Sequence, residues 1–365
     1  MEVNIKKALK LFGGYFFRWT GFSIEPDLIK IGHPDKESPV FLTCNFNITV
    51  KRVKKALKGL NCYLLVAPSK GINVWCGACG DDFNTNSVIS IIKTSGIEDL
   101  VSHRMLIVPQ LSAPGIDPLI IKKELGWNIK FGPVYAKDIQ TYLKNDFKKD
   151  ENMRKVMFPI SKRVEMANMY FLTIFIFFAI GFWITAIFLS SLNLFLFIDS
   201  AILMIIVIYG SLIILPSIKT HTGRPKVLIF EAILIVLIIV YNIFIYPNIF
   251  YLIWNLVVSI LISLILIEDF HGLTPIYKSE LGEKTWEKGD KEMRFMGMKI
   301  KLQPYGNIKL EYEKCIGCKV CIDVCPRNIY IFNDTDNKVK LNHPENCINC
   351  NACVKRCLGN CLQIA

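Results

Sequence analysis

Charge is scarce in this chain of 365 residues. Asp, Glu, Lys and Arg make up 20% of it, apolar types reach 52%, and mean hydropathy is +0.37. So little charge beside so much apolar surface excludes intrinsic disorder and lies outside the range of an ordinary soluble protein. Two long tracts are almost bare of charge: none falls between Glu165 and Asp199, and only Glu231 between Lys226 and Glu268. No stripe of Lys and Arg with interleaved aromatics is present, so nucleic acid is not an expected partner. The run Lys51-Arg52-Val53-Lys54-Lys55-Ala56-Leu57-Lys58 reads instead as the solvated face of one helix. Cysteine is thin over most of the chain, but nine of the thirteen crowd into residues 315–361. An odd, clustered set does not make a secreted disulfide framework and points to metal ligands in a reducing compartment.

The uncharged tracts are long enough for four membrane spans, since one crossing needs about 20 apolar residues. The expected spans are 167–189, 194–215, 227–246 and 249–267, forming a four-helix transmembrane domain over 166–267. Two buried soluble hairpins would need a polar face that these tracts lack. The loop between the second and third spans carries Lys219, Arg224 and Lys226, whereas the two outer turns carry no basic residue. The positive-inside rule then places both termini and both soluble parts on the cytoplasmic side of a multi-pass cytoplasmic-membrane protein. Residues 1–165 have a net charge of +9 of the total +12, which suits a domain close to an anionic leaflet. Residues 1–17 read as a basic interfacial helix, not a signal peptide. Asp199 and Glu231 sit near span ends, where their side chains are expected to snorkel towards the interface.

The C-terminal cysteines carry the most specific pattern. Cys315-x2-Cys318-x2-Cys321-x3-Cys325-Pro326 is followed by Cys347-x2-Cys350-x2-Cys353-x3-Cys357. Three cysteines at this spacing wrap three corners of an iron–sulfur cube, and in two-cluster ferredoxins the fourth corner comes from the other run. Cys315, Cys318, Cys321 and Cys357 are expected to hold one [4Fe–4S] cluster, and Cys347, Cys350, Cys353 and Cys325 a second. Zinc sites lack this doubled three-plus-one arrangement. Leu358 stands where the first run has Pro326, and the leftover Cys361 reads as a small buried apolar residue.

Residues 40–146 alternate β-type runs at 40–44, 63–66, 105–108 and 129–131 with helical patterns at 50–60, 84–94, 117–125 and 136–144. Alternation of this kind predicts a parallel sheet with helices on both faces, and ligands bind such sheets beyond the carboxyl ends of the strands. Gly/Pro/Asn-rich loops at 69–73, 109–115 and 132–133 follow strand ends and offer backbone amides to a large polar ligand.

One segment has two readings. Trp75-Cys76-Gly77-Ala78-Cys79 by itself looks like a thioredoxin-type dithiol. Together with Thr43-Cys44-Asn45-Phe46, Gly71-Ile72-Asn73-Val74, Ser102-His103-Arg104, Pro109-Gln110-Leu111-x-Ala113-Pro114-Gly115 and Gly132-Pro133-Val134-x-Ala136-x-Asp138 it resembles something else. That set is similar to the corrinoid-binding domain of the mercury-methylating corrinoid protein family, within the corrinoid iron–sulfur protein superfamily. Cys315-Ile316-Gly317-Cys318 through Cys325-Pro326-Arg327 resembles the two-cluster ferredoxin partner of that family. The resemblance implies a natural fusion of the two. Its parts are an N-terminal arm (1–39), a Rossmann-like α/β corrinoid-binding domain (40–150), the membrane domain, a cytoplasmic linker (268–304) and an α+β 2[4Fe–4S] ferredoxin domain (305–365).

In that family a cap helix lies under the corrin ring and its cysteine is the lower axial ligand to cobalt. Carried over, Cys76 is the ligand and the catalytic residue, with Asn73, Val74 and Trp75 as its supporting turn. The implied activity is corrinoid-dependent methyl transfer in which the ferredoxin returns the cobalt to Co(I), with Hg(II) as candidate acceptor. The methyl group would come from a methyl-donor protein or a methyltetrahydrofolate- or tetrahydropterin-dependent methyltransferase. The linker would raise the local concentration of the electron donor to about millimolar. Two departures bear on mercury. Gly77-Ala78-Cys79-Gly80 follows Cys76 where the family reads Ala-Ala-Gly-Lys, and the family's terminal cysteine pair has no counterpart up to Ala365. The alternative function is a non-corrinoid membrane protein that passes electrons from its clusters to a Cys76/Cys79 dithiol.

Overall fold

The computed structural model describes residues 23–157, 159–189, 191–214, 223–269, 291–295, 298–302, 308–342, 344, 347 and 349–364. The basic stretch 1–17, the loop residues 219–222 and most of the expected linker 268–304 lie outside the described residues. The chain divides into two compact units, residues 1–156 with 283–365, and residues 157–282.

The first unit begins with a doubly wound sheet. Its strands are β1 (Asp27–Ile31), β2 (Val40–Cys44), β3 (Cys62–Ala67), β4 (Met105–Val108) and β5 (Asn128–Phe131), in the order β1-β3-β2-β4-β5. β2 to β5 are parallel, and β1 is an antiparallel edge strand with Asp27 opposite Val66 and Ile31 opposite Cys62. Residues 27–31, which fall within the expected N-terminal arm, thus close one edge of the sheet. Interleaved are α1 (Asn47–Ala56), α2 (Val74–Cys79), α3 (Thr85–Ser95), α4 (Ile97–Leu100), α5 (Pro118–Leu125), α6 (Ile139–Lys144) and α7 (Glu151–Arg154).

β2 and β3 are buried along their whole length, which is why they read as unbroken apolar runs. Alternate side chains feed two cores, as the pleat requires. Val40, Leu42, Leu65, Leu106 and Val108 pack with Val88 and Ile92 of α3 and Ile121 of α5. Phe41, Leu64, Val66 and Ile107 pack with Val50, Tyr142 and Met153 on the opposite face. Among the parallel strands the order β3-β2-β4-β5 reverses its direction of growth at β2. The crevice beyond the carboxyl ends of β2 and β4 is thus the expected ligand position for this topology.

The same unit holds a backbone hairpin, β6 (Lys291–Phe295) with β7 (Met298–Leu302), and the ferredoxin-like part. In the latter β8 (Ile308–Leu310) pairs with β11 (Leu362–Ile364), and β9 (Tyr330–Asn333) with β10 (Lys338–Leu341). Two short helices, α12 (Val320–Val324) and α13 (Ala352–Lys355), each carry the third cysteine of a run, Cys321 and Cys353. Gly317 has φ +71°, and a Cβ there would stand 2.2 Å from Asn337 O, so only glycine fits immediately before Cys318.

Among the described residues the second unit is four helices, α8 (Ile160–Ala186), α9 (Leu194–Ile214), α10 (Gly223–Phe244) and α11 (Ile249–Asp269). All four are long and apolar enough to cross a membrane. At about 1.5 Å per residue the shortest reach roughly 30 Å, the thickness of a hydrocarbon layer. Phe177, Phe188, Phe244 and Ile249 are each at least 67% exposed, an outward apolar surface that suits lipid better than water. α8 starts seven residues before the expected span. Pro159 precedes its first turn and Lys162 and Arg163 enter the helix, a polar first turn that hydropathy does not register. The expectation for the two acidic residues is corrected. Glu231 is 8% exposed and accepts hydrogen bonds from Ser259 Oγ (2.8 Å) and Ser263 Oγ (2.5 Å), while Asp199 accepts one from Asn255 Nδ2 (2.6 Å). Both tie α11 to a neighbouring helix inside the bundle instead of reaching outward, because serine and asparagine one or two turns apart on α11 offer them donors.

Candidate functional site

α2 lies in the connection after β3, and its approach is built from side-chain-to-backbone hydrogen bonds. Asn45, just past β2, is 5% exposed, and its Oδ1 accepts from Ser69 N, Ser69 Oγ and Gly71 N, each at 2.9 Å. Its Nδ2 donates to Ile24 O at 2.9 Å, so one side chain pins the loop ahead of α2 to the segment before β1. Asn73 caps the helix, its Oδ1 accepting from Val74 N (2.8 Å) and from Thr49 Oγ1 (2.9 Å). This is the role that Ser, Asn and Asp play at helix starts. Gly77 O accepts from Asp82 N and Phe83 N, and Gly80 N donates to Cys76 O.

Close packing fixes the rest. A Cβ on Gly77 would stand 2.9 Å from Phe83 Cβ, and one on Gly115 would stand 2.4 Å from Phe83 O. The loop after β4 is thereby pressed onto α2. Val74, Gly77 and Ala78 face inward, while Trp75, Cys76 and Cys79 are half-buried. Of the four residues expected to bind a cofactor, Val74 is therefore core, Asn73 is a cap, and Trp75 and Cys76 remain partly accessible. Burial, helped by charge on Cys76 and opposed by Lys355, pushes the Cys79 thiol up to about 12. A reactive dithiol needs the opposite shift. Nearby, the Thr43 hydroxyl is buried without a hydrogen-bond partner.

The eight expected cluster ligands separate into two sets. Cys315, Cys318, Cys321, Cys357 and the leftover Cys361 line one cavity, and Cys325, Cys347, Cys350 and Cys353 line another. All are free thiols. Among the described residues no three His, Cys, Asp or Glu side chains converge closely enough for a single metal ion. Four sulfurs spread around a cavity fit the larger cubane better than a lone zinc, whose Zn–S bonds are about 2.3 Å. Burial pushes Cys347 up to about 11 and Cys353 up to about 12, neighbouring cysteine charges adding to both. Without a cation the thiolates are penalised, so this donor set suits a group that brings its own positive charge. Tyr330 OH donates to Cys353 Sγ at 3.0 Å, and Val339 N donates to Cys315 Sγ at 3.5 Å.

Within the first unit the ferredoxin-like part is docked on the sheet's ligand end. Gln110, 1% exposed, donates from Nε2 to Cys325 O (3.3 Å) and Arg154 O (3.0 Å) and accepts at Oε1 from Lys149 Nζ (3.0 Å). Lys149 Nζ also reaches Asp323 O and Asp323 Oδ1, both at 2.9 Å. Burial lowers the Lys149 pKa, against the pull of Asp323. Val156 N donates to Pro326 O (3.0 Å), Lys355 Nζ donates to Pro114 O (2.7 Å), and Arg356 pairs with Asp117 at 2.9 Å. These contacts bring the second cysteine set beside α2. Burial pushes Cys350 well up, and charges on Cys353, Cys325 and Cys79 add to it. Gln110 lies in a motif singled out by sequence, but Lys149, Lys355 and Arg356 carry no local signal. Their roles depend on partners more than 170 residues away.

Comparison with known proteins divides the chain in the same way. Residues 19–143 match the family model described as CO dehydrogenase/acetyl-CoA synthase delta subunit, and residues 307–358 match the 4Fe-4S dicluster domain. The acetyl-CoA decarbonylase/synthase complex subunit gamma of Methanocaldococcus jannaschii is 33% identical over 129 residues, covering 35% of this chain and 26% of that protein. The subunit of the same name from Methanothermobacter thermautotrophicus is 34% identical over 123 residues, covering 33% and 26%. That from Archaeoglobus fulgidus is 32% identical over 130 residues, covering 35% and 27%. The chain thus spans about a quarter of the length of these curated relatives.

Proposed function

We propose that this chain is a membrane-held corrinoid-dependent methyltransferase whose own ferredoxin domain, carrying two [4Fe–4S] clusters, supplies the electrons that keep the corrinoid active. The supporting observation is the docking of the second cysteine set beside α2. An electron carrier held there by Gln110, Lys149, Lys355 and Arg356 is placed to serve a redox cofactor bound over that helix. The donor sets fit both groups: two four-sulfur cavities for the clusters, and a half-buried thiol on a pinned helix at the sheet's crevice for cobalt. A bound corrinoid would supply a cobalt centre competent for methyl-group transfer.

The chain's own residues do the holding. Cys76 would hold the cobalt of a bound corrinoid through its sulfur. Asn73 fixes the first turn of the helix through Val74 N, and Asn45 fixes the loop before it, so that sulfur cannot drift by a turn. A thiolate ligand would donate electron density to the metal, as cysteine thiolates do to haem iron. The loops after β3, β4 and β5 offer backbone groups to the periphery of the cofactor. The four apolar helices anchor the protein, and the basic flanks favour a cytoplasmic face for both soluble parts. Hg(II) as the acceptor rests on the sequence resemblance alone. The curated relatives carry the acetyl-CoA decarbonylase/synthase name.

The dithiol alternative is disfavoured by the Cys79 thiol, which burial keeps protonated. Purification without oxygen in detergent, followed by metal analysis, separates the two. The proposal expects cobalt equimolar with the chain and about eight irons. Iron without cobalt, with a titratable dithiol, would select the alternative. Incubation of the methylated protein with Hg(II), and separately with a thiol acceptor, then assigns the acceptor class.

A further inference from the structure

The ferredoxin-like part is built twice, at an offset of 32 residues, so Cys325-Pro326-Arg327-Asn328-Ile329 corresponds to Cys357-Leu358-Gly359-Asn360-Cys361. The backbone repeats as well. Asn328 has φ +52° and Asn360 has φ +48°, both left-handed, the conformation asparagine tolerates best among residues with a side chain. Four residues after the fourth ligand, each half presents a buried wall to its cavity: Ile329, 1% exposed, in the second set, and Cys361, 4% exposed, in the first. The fold asks for an apolar wall at this position, and the first half meets it with isoleucine. The second half meets it with sulfur.

That sulfur sits beside a ligand. Cys361 Sγ is 3.3 Å from Cys357 Sγ, and Cys361 N donates to Cys357 Sγ at 3.3 Å. The backbone of Cys361 is held firmly: its carbonyl accepts from Glu311 N at 2.8 Å, and Leu362 pairs with Leu310 across the β8–β11 ladder. Gly359 is also pinned, since a Cβ there would stand 2.5 Å from Lys314 O. Between them, Leu358 is 54% exposed where the other half has proline, so the turn that carries Cys357 lacks the ring that stiffens its counterpart.

We propose that Cys361 is a second, exchangeable ligand for the fourth corner of the first cluster, able to take the iron in place of Cys357. This rests on the reading that the first cysteine set holds a [4Fe–4S] cluster. In the exchange the iron–sulfur bond to Cys357 breaks and one to Cys361 forms. Cys361 gives up its thiol proton and Cys357 takes one up, and no electron is gained or lost. The first cluster therefore has two sulfurs for one corner, whereas the second, with Ile329 at the matching place, has one.

The test is iron and acid-labile sulfide content, with electron paramagnetic resonance of the reduced full-length protein purified without oxygen in detergent. Wild type is expected to carry about eight irons, and so are Cys361→Ile, which copies the other half, and Cys357→Ala. Cys357→Ala/Cys361→Ile is expected to fall to about four. Loss of the first cluster in Cys357→Ala alone would overturn the proposal while leaving the two-cluster reading intact in wild type. Wild type with about four irons or fewer would instead remove that reading, and the proposal with it. Slow alkylation of the native loaded protein tests the exchange without any variant. Label divided between Cys357 and Cys361 supports it, and label confined to one of them refutes it.

Discussion

If docking of the ferredoxin part beside α2 is what makes the two halves one machine, its most buried contact should control it. Lys149 is 3% exposed in its side chain and bridges Asp323 Oδ1, Asp323 O and Gln110 Oε1 at 2.9–3.0 Å. Lys149→Met keeps the aliphatic stem and removes the charge and all three hydrogen bonds. Hydrogen bonds to charged groups are each worth about 1.5–3 kcal/mol, but Asp323 is 48% exposed and regains water when freed. A net loss of about 2 kcal/mol is therefore expected, at the low end of that range. It should act on opening of the interface, not on folding of either half. The Val156 amide, which donates to Pro326 O across the interface, is a direct reporter. At about 1.4 kcal/mol per tenfold, its hydrogen exchange should quicken roughly 30-fold, while the amides of β2 and β3 keep their rates. Asp323→Asn in the same background should cost less than it does in wild type, the mark of a coupled pair. Unchanged exchange at Val156 in Lys149→Met would refute the claim that this lysine clasps the two parts together.

Two further outcomes concern the helix that carries Cys76. Asn45→Ala leaves the buried amides of Ser69 and Gly71 without an acceptor, so the cost should be about 2–4 kcal/mol, seen as a lower midpoint in thermal unfolding followed by tryptophan fluorescence. Asn45→Asp, which keeps the accepting oxygen, should lose less. The raised thiol of Cys79 sets a pH dependence: a pKa of about 12 leaves roughly a thousandfold less thiolate at pH 8 than an ordinary cysteine has. Its iodoacetamide labelling should be slower in proportion and still be rising at pH 10, as peptide mapping would show. Fast labelling at pH 8 with an inflection below 9 would restore the dithiol reading.

Strand and helix positions of the α/β part were legible because its parallel strands are buried on both faces, so β2 and β4 stand out as apolar runs between amphipathic helices. β1 was not legible. Its five residues are all exposed or half-buried with no regular alternation, and their partner β3 lies more than thirty residues on. The spacing already grouped Cys325 with 347–353 and Cys357 with 315–321, the grouping in which these cysteines line the two cavities. The spans were legible, but the fate of Glu231 was not. Hydropathy places a residue along a helix axis and says nothing of Ser259 and Ser263 on the neighbouring helix. The interface was the least legible feature, because Lys149 and Lys355 look like any surface lysine until the chain brings Asp323 and Pro114 to them.

The central claim is that the sulfur of Cys76 binds cobalt. Cobalt K-edge X-ray absorption on the protein purified without oxygen tests it most directly. The account predicts a sulfur scatterer in the first coordination sphere of cobalt, present in wild type and in Cys79→Ser and missing from Cys76→Ala. A sphere of nitrogen and oxygen alone in wild type, or a sulfur that persists in Cys76→Ala, would contradict it.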